Sequence, residues 1–304
     1  MLLSYLYYGF YKVLLLIPAI HNYAAFIATL LFYSLFDHPH IFQTFSRTHA
    51  DPIEFQRRKG FYTVGVLGII AAGYCIQVQH WEMQFEAFMN IYGIWHILRQ
   101  NSGFLKLYKK RAAEKIRLDT FLDFGFLYAS VVLLLAFRVT DSLHHPLEWL
   151  PRMAFPQDIF LKIFWAFVVI YAFRQLFLLT RGRSHYPKLI FMIAIISTYY
   201  FTYITSDPPF GLLVAIETIY HDVQYQGWIS HFQKRRFGGT VWRKWFVTSL
   251  IYGALFGSLL VLTLTSPIGK WLLSPFLMLV LFHYFIDARI WRFSKNPELK
   301  ALYS

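Results

Sequence analysis

Residues 245–264 are WFVTSLIYGALFGSLLVLTL, an uninterrupted run of 20 residues without a charged side chain. As a helix, such a run is about 30 Å long, which matches the hydrocarbon thickness of a bilayer. Runs of similar character recur along the chain on the N-terminal side, and another follows at 271–290. The sequence therefore predicts an all-α membrane helix bundle.

The composition supports this fold class. The chain has 304 residues, of which 57% are hydrophobic and 20% aromatic, and its mean hydropathy is +0.43. Only 15% are charged, against about 25% in an ordinary soluble domain. A soluble enzyme and a disordered chain are both excluded on these grounds. The single cysteine, Cys75, excludes a disulfide framework and any paired-cysteine metal motif.

Ten runs qualify as candidate spans. A short break with turn residues at 17–22 separates the first two. No connection is long enough to fold by itself, so we expect one integral membrane domain over residues 1–304. The spans predicted from the sequence cover residues 2–20, 22–36, 61–79, 82–98, 119–139, 157–179, 189–206, 210–230, 245–264 and 271–290.

The charge of the chain has a topological interpretation. The formal net charge is +13, and most of the lysine and arginine residues fall in alternate connections, at 37–60, 99–117, 180–188, 232–244 and after 290. With ten spans, all these stretches lie on one side, which the positive-inside rule makes cytoplasmic. Both termini are then cytoplasmic. The expected partners of this basic surface are membrane lipids and not nucleic acid, since no nucleic-acid motif accompanies the charge.

Histidines and carboxylates gather at the predicted cytoplasmic ends of four segments. Two histidines lie in Phe36-Asp37-His38-Pro39-His40, directly after the second span. The others are on predicted helices and come with a polar neighbour four residues away, which places both on one helix face. These pairs are His96 with Gln100, Glu217 with His221, and His283 with Asp287.

Imidazole and carboxylate groups on inward faces of a helix bundle are the usual ligands of a buried metal ion. Without thiolates, such a set suits non-haem iron, manganese or zinc. The predicted ligands are therefore His38, His40, His96, Glu217, His221, His283 and Asp287. The groups expected to orient the ligands are Gln100, Gln224 and Asp222. Tyr220, Tyr225 and Tyr284 are the candidate proton donors.

A structural interpretation competes with the metal site. The same polar groups can form a hydrogen-bonded network that only holds helices together. In that case Asp287 would pair with Arg289 or Arg292, and Glu217 with Arg174, which lies in span six.

In this pattern the chain is similar to the Brp/Blh family of membrane β-carotene dioxygenases. Those proteins place single histidines on several helices to hold a non-haem iron, and their last helix has a histidine followed within a turn by an aspartate. The resemblance implies that His283 and Asp287 correspond to that pair. It further implies that His221 and His96 are mid-chain ligands, and that His38 or His40 is the N-terminal one.

These observations predict a multi-pass, metal-dependent oxidoreductase, an oxygenase that acts on a lipid-soluble substrate with a possible redox partner. Ionisable groups within membrane helices are often functional, because they are costly to insert. Three other functions fit the same residues. They are a haem protein with two of the histidines as axial ligands, an ion-coupled or proton-coupled transporter, and an accessory subunit of a membrane complex.

Overall fold

The computed structural model describes residues 2–114, 116–140 and 157–292, together with 296 and 299. These residues form helices and connections without a strand, so the predicted all-α class is confirmed. The helices are α1 (Leu2–Leu15), α2 (Ala24–Phe32), α3 (His38–Thr48), α4 (Pro52–Arg57), α5 (Lys59–Val78), α6 (Glu82–Arg111), α7 (Arg117–Thr140), α8 (Gln157–Thr180), α9 (Tyr186–Tyr200), α10 (Phe210–Phe237), α11 (Val241–Thr265) and α12 (Pro267–Ile290).

Six helical segments within the described residues are long and apolar enough to cross a membrane. They are Lys59–Val78, Arg117–Arg138, Gln157–Thr180, Tyr186–Thr205, Val241–Thr265 and Pro267–Ile290. Helix α8 illustrates their character, since Val169, Ile170 and Phe173 all lie exposed on its surface. Apolar side chains on the outside of long helices indicate an integral membrane protein. The count of ten spans and the position of the termini stay predictions.

Helical structure continues beyond two of the predicted spans. Span 22–36 runs into a π-helical turn, Tyr33–Asp37, that leads directly into α3. Span 82–98 lies within α6, which continues through Ser102 and Gly103 to Arg111. A Cβ added at Gly103 would meet nothing within 4 Å, so this glycine sits on an open helix face, where it costs only about 1 kcal/mol relative to alanine.

Pro39 explains why the helix widens at residues 33–37. Proline has no N–H, and its ring clashes with the carbonyl group four residues earlier, here that of Leu35. A regular α-helix cannot pass this point, and the π-turn accommodates the break while the chain stays helical. The chain therefore passes Pro39 through a wider turn, and the helical structure does not end there.

The chain divides into two compact units. The first unit comprises Met1–Tyr8 and Ile94–Glu217, and the second comprises Gly9–Gly93 and Thr218–Ser304. The expectation of a single membrane domain stays a prediction.

In the first unit, α7 packs against α8 and α9. An ion cluster links α6 and the connection that follows it to α7 and α9. Lys109 Nζ lies 2.6 Å from both Glu114 Oε2 and Asp123 Oδ2, and Lys188 Nζ lies 3.0 Å from the same two oxygens. Burial alone would raise the pKa of the Glu114 carboxyl, but the hydrogen bonds from Lys109 and Lys188 hold that pKa below its usual value.

In the second unit, α11 packs against α3 and α12, and α12 packs against α5. Two glycines allow a close approach of α11 to the π-turn. A Cβ added at Gly253 would lie 2.1 Å from the Ser34 carbonyl oxygen, and one at Gly257 would lie 2.1 Å from Ser34 Oγ. Small residues four apart let membrane helices pack at backbone distance.

Ion pairs hold the C-terminal end of α3. Arg47 is fully buried, and its Nη1 donates to Asp51 Oδ2 at 3.1 Å. Asp51 also caps α4 by accepting from the backbone N–H of Ile53, and it pairs with Arg236 of α10 at 2.7 Å. Helix α3 is thus held by packing at its start and by ion pairs at its end.

Candidate metal centre

Three buried histidines converge in the second unit. His40 lies in the first turn of α3, His221 in α10 and His283 in α12, and they are 3%, 2% and 0% exposed. One ligand nitrogen from each lies within 4.8 Å of the others. The ring centroid of His40 is 5.2 Å from that of His221 and 4.9 Å from that of His283, with the rings nearly perpendicular. We call these three residues the imidazole cluster.

His40 has a buried ring nitrogen that is well placed to bind a metal ion. Its Nε2 is buried and has no hydrogen-bond partner among the residues that the structure describes. Its Nδ1 lies 3.0 Å from Asp222 Oδ1, which is ion-pair distance, although the groups are not aligned as a hydrogen bond. A buried ring nitrogen without a partner costs free energy, so this atom is a strong candidate for a metal ligand.

His283 is held by a hydrogen-bond network on its other nitrogen. Thr44 Oγ1 lies 2.6 Å from His283 Nδ1 and 2.7 Å from the Tyr225 hydroxyl, and it donates to Asp287 Oδ1 at 3.2 Å. The Tyr225 hydroxyl donates to the same Asp287 oxygen at 2.7 Å. The network fixes the orientation of the His283 ring, as carboxylates and hydroxyls do for metal-bound histidines.

Of the two N-terminal alternatives, the geometry favours His40 over His38. The His38 ring stacks on Phe256 with centroids 3.3 Å apart, and its Nε2 lies 3.6 Å from Asp37 Oδ2. His38 is buried, but it is not in the three-histidine group whose nitrogens come together. It packs as a ring against α11.

The remaining predicted site residues have these positions. His96 and Glu217 belong to the first unit and are buried, and Glu217 Oε2 accepts a hydrogen bond from the Tyr203 hydroxyl at 2.7 Å. Gln100, Gln224, Tyr220 and Tyr284 are half-buried. Tyr284 packs against Tyr92 with centroids 5.6 Å apart.

The three arginines named in the competing structural interpretation make other contacts. Arg174 Nε donates to Asp119 at 2.7 Å. Arg289 and Arg292 donate to backbone carbonyl groups of their own helix, those of Phe285 and Ala288.

Sequence reasoning missed two residues of the centre. Thr44 was not considered, although it lies four residues after His40 and therefore on the same face of α3. Asp37 belongs to the histidine motif but is not among the predicted ligands, yet its Oδ1 lies 3.9 Å from His40 Nδ1. The i, i+4 rule, applied to His40 as it was to His221 and His283, would have found Thr44.

Comparison with protein-family models, with curated proteins and with solved structures finds no match for this chain.

Proposed function

We propose that this chain is a multi-pass membrane oxidoreductase that uses a bound metal ion to oxidise a lipid-soluble substrate with dioxygen. Iron is the proposed ion, with manganese as the redox-active alternative. Zinc would fit the same ligands, but it has no redox chemistry and would not supply the oxidation. The observation that carries the proposal is the imidazole cluster, in which three buried histidines from distant parts of the chain bring one ligand nitrogen each within 4.8 Å of the others.

The proposed ligands are His40 Nε2, His283 Nε2 and one nitrogen of His221. Nitrogen ligands about 2.1 Å from one ion lie at most about 4.2 Å apart. The ligand nitrogens of the three histidines lie within 4.8 Å of one another, which is compatible with that spacing. Three protein ligands leave open positions on the ion, which supplies the redox chemistry with dioxygen when it is bound.

The other residues of the centre hold and shape it. Asp222 faces Nδ1 of His40, and Thr44 engages Nδ1 of His283, so each ring is oriented from the side opposite its proposed ligand atom. Tyr225 is buried beside both rings, where its hydroxyl can exchange a proton with Asp287. Tyr225 and Tyr284 lie beside the His283 ring, and aromatic side chains of this kind suit an apolar substrate.

A single ion fits this arrangement better than haem. Two axial imidazoles must stand on opposite faces of a macrocycle, and the His40 and His283 rings lie edge to face with centroids 4.9 Å apart. That spacing favours a shared ion over a porphyrin between the rings.

The proposed topology has about ten spans, with both termini and the metal end of the bundle towards the cytoplasm. It is supported by the concentration of lysine and arginine in alternate connections. The six long apolar helices are compatible with it. The other four proposed spans are shorter or more polar, and they are α1, the continuous segment from α2 to α3, α6 and α10.

Elemental analysis of detergent-purified protein tests the metal site. We expect stoichiometric iron or manganese in the unmodified chain, and the loss of one equivalent in His221→Ala; zinc alone would contradict the proposed oxidation. The matched control is His231→Ala, an exposed histidine of the same helix, which should keep the full metal content. Equal metal content in the two variants, or no metal in the unmodified chain, would refute the proposal.

A further inference from the structure

A second group of potential ligands adjoins the imidazole cluster. Asp37, His40 and Asp222 each offer one ligand atom, and these atoms lie within 4.8 Å of one another. Asp37 ends the π-turn, and Asp222 follows His221 in α10. We call Asp37 and Asp222 the acidic pair. His40 is the residue that the two groups share.

The acidic pair lies beside histidine rings and beside no lysine or arginine of the described residues. Asp222 is fully buried, and neither of its oxygens has a hydrogen-bond partner among the described residues. In the same part of the chain, the basic groups within ion-pair distance of Asp37 or Asp222 are the rings of His38 and His40, with no lysine or arginine. An uncompensated buried carboxylate is strongly unfavourable.

The orientation of His40 indicates what could satisfy these groups. Its Nδ1 lies 3.0 Å from Asp222 Oδ1 and 3.9 Å from Asp37 Oδ1. A cation lying to the side of the two atoms could bind both, and it could reach Asp37 as well.

We propose that Asp37, Asp222 and His40 Nδ1 hold a second divalent cation, which shares His40 with the cation of the imidazole cluster. His40 then bridges two ions as an imidazolate. On loading, the ring N–H bond breaks, its electron pair forms the bond to the second cation, and the proton passes to solvent water. Two divalent cations bring four positive charges, against three negative charges on the acidic pair and the imidazolate.

The bridge fixes the distance between the ions. With metal–nitrogen bonds of about 2.1 Å on either side of one imidazole ring, the two cations lie about 6 Å apart. This distance is short enough for the electron spins of two manganese ions to interact. The proposal rests on the proposed metal function only through His40, and its acidic ligands can be tested separately.

The test is the metal stoichiometry of purified protein that has been stripped and reloaded with Mn²⁺. We expect two equivalents in the unmodified chain, one in Asp222→Asn, one in Asp37→Asn, and fewer than one in His40→Ala. Asp158→Asn, a matched change at an exposed carboxylate of α8, should keep two. Asp37→Glu, which retains the carboxylate at a residue with a 17% exposed side chain, should also keep two.

Electron paramagnetic resonance of the manganese-loaded protein provides a second readout that does not depend on metal counting. A coupled two-ion spectrum in the unmodified chain, replaced by an isolated-ion spectrum in Asp222→Asn, supports the bridge. Unchanged stoichiometry in Asp222→Asn and Asp37→Asn, in preparations that elute as monodisperse protein, overturns the second site. The outcome for His221→Ala is separate, because loss of one equivalent there reports on the imidazole cluster alone.

Discussion

Thr44 links three groups of the candidate centre through one oxygen atom. Its Oγ1 contacts His283 Nδ1, the Tyr225 hydroxyl and Asp287 Oδ1. A hydroxyl can donate only one hydrogen bond, so when His283 Nδ1 carries a proton and donates to Thr44, the Thr44 hydroxyl donates either to Asp287 or to Tyr225. Thr44 therefore couples the ring orientation of His283 to the carboxyl group of Asp287.

Replacing Thr44 by valine should weaken metal binding without removing a ligand. The change preserves the shape of the side chain and deletes the hydroxyl, and loss of a group that orients a metal-bound histidine typically lowers affinity by about 10–100-fold. Titration of stripped protein with Mn²⁺ or Zn²⁺ would measure this shift. Thr198→Val, at a buried threonine that bonds its own helix backbone, is the control, and an equal effect there would contradict a specific role for Thr44.

At the scale of helices, close packing of α11 positions the first turn of α3. The Cβ positions of Gly253 and Gly257 are occupied by the backbone and side chain of Ser34, and that of Gly253 also lies 2.7 Å from the Pro39 ring. Pro39 directly precedes His40. The distance of His40 from the other two histidines therefore depends on α11 keeping small residues at these positions.

Gly253→Leu should displace the π-turn and α3 together. Because the nearest atom is a backbone oxygen at 2.1 Å, it cannot move away as a flexible side chain would, and overpacking of this kind costs about 1–3 kcal/mol or more. We expect a lower melting temperature and at least a tenfold loss in metal affinity. Gly227→Ala, where a Cβ would meet nothing within 4 Å, should instead preserve both. Normal metal binding by a folded Gly253→Leu variant would show that α11 does not set the position of His40.

The helices themselves could be predicted from hydropathy to within a few residues at many ends, as with span 157–179 and α8 (Gln157–Thr180). The ends were harder to predict where one residue type fits two structures. A proline such as Pro39 is compatible with a helix end or a widened turn, and a glycine such as Gly103 with a helix end or an open helix face. The sequence also could not give the rotation of each helix, so it could not choose between His38 and His40 or pair Asp222 with His40.

At the scale of the whole chain, the distribution of basic residues makes a prediction about sidedness. In a Cys75→Ser background, single cysteines can be introduced at exposed positions of four connections, at Arg183, Thr240, Asp207 and Lys270. Cysteines at 207 and 270 should react with a membrane-impermeant maleimide in intact cells. Those at 183 and 240 should react only after the cytoplasmic face is opened, and labelling of all four from outside would contradict the ten-span topology.

The π-turn at Tyr33–Asp37 has a consequence for how this chain can vary in length. Deleting one residue from that turn would leave Pro39 without the wider turn that accommodates it, so the helix would have to kink or end before α3. His40 and Thr44 would then move together, away from His221 and His283. A one-residue deletion that a surface loop would tolerate would here separate the three histidines of the imidazole cluster.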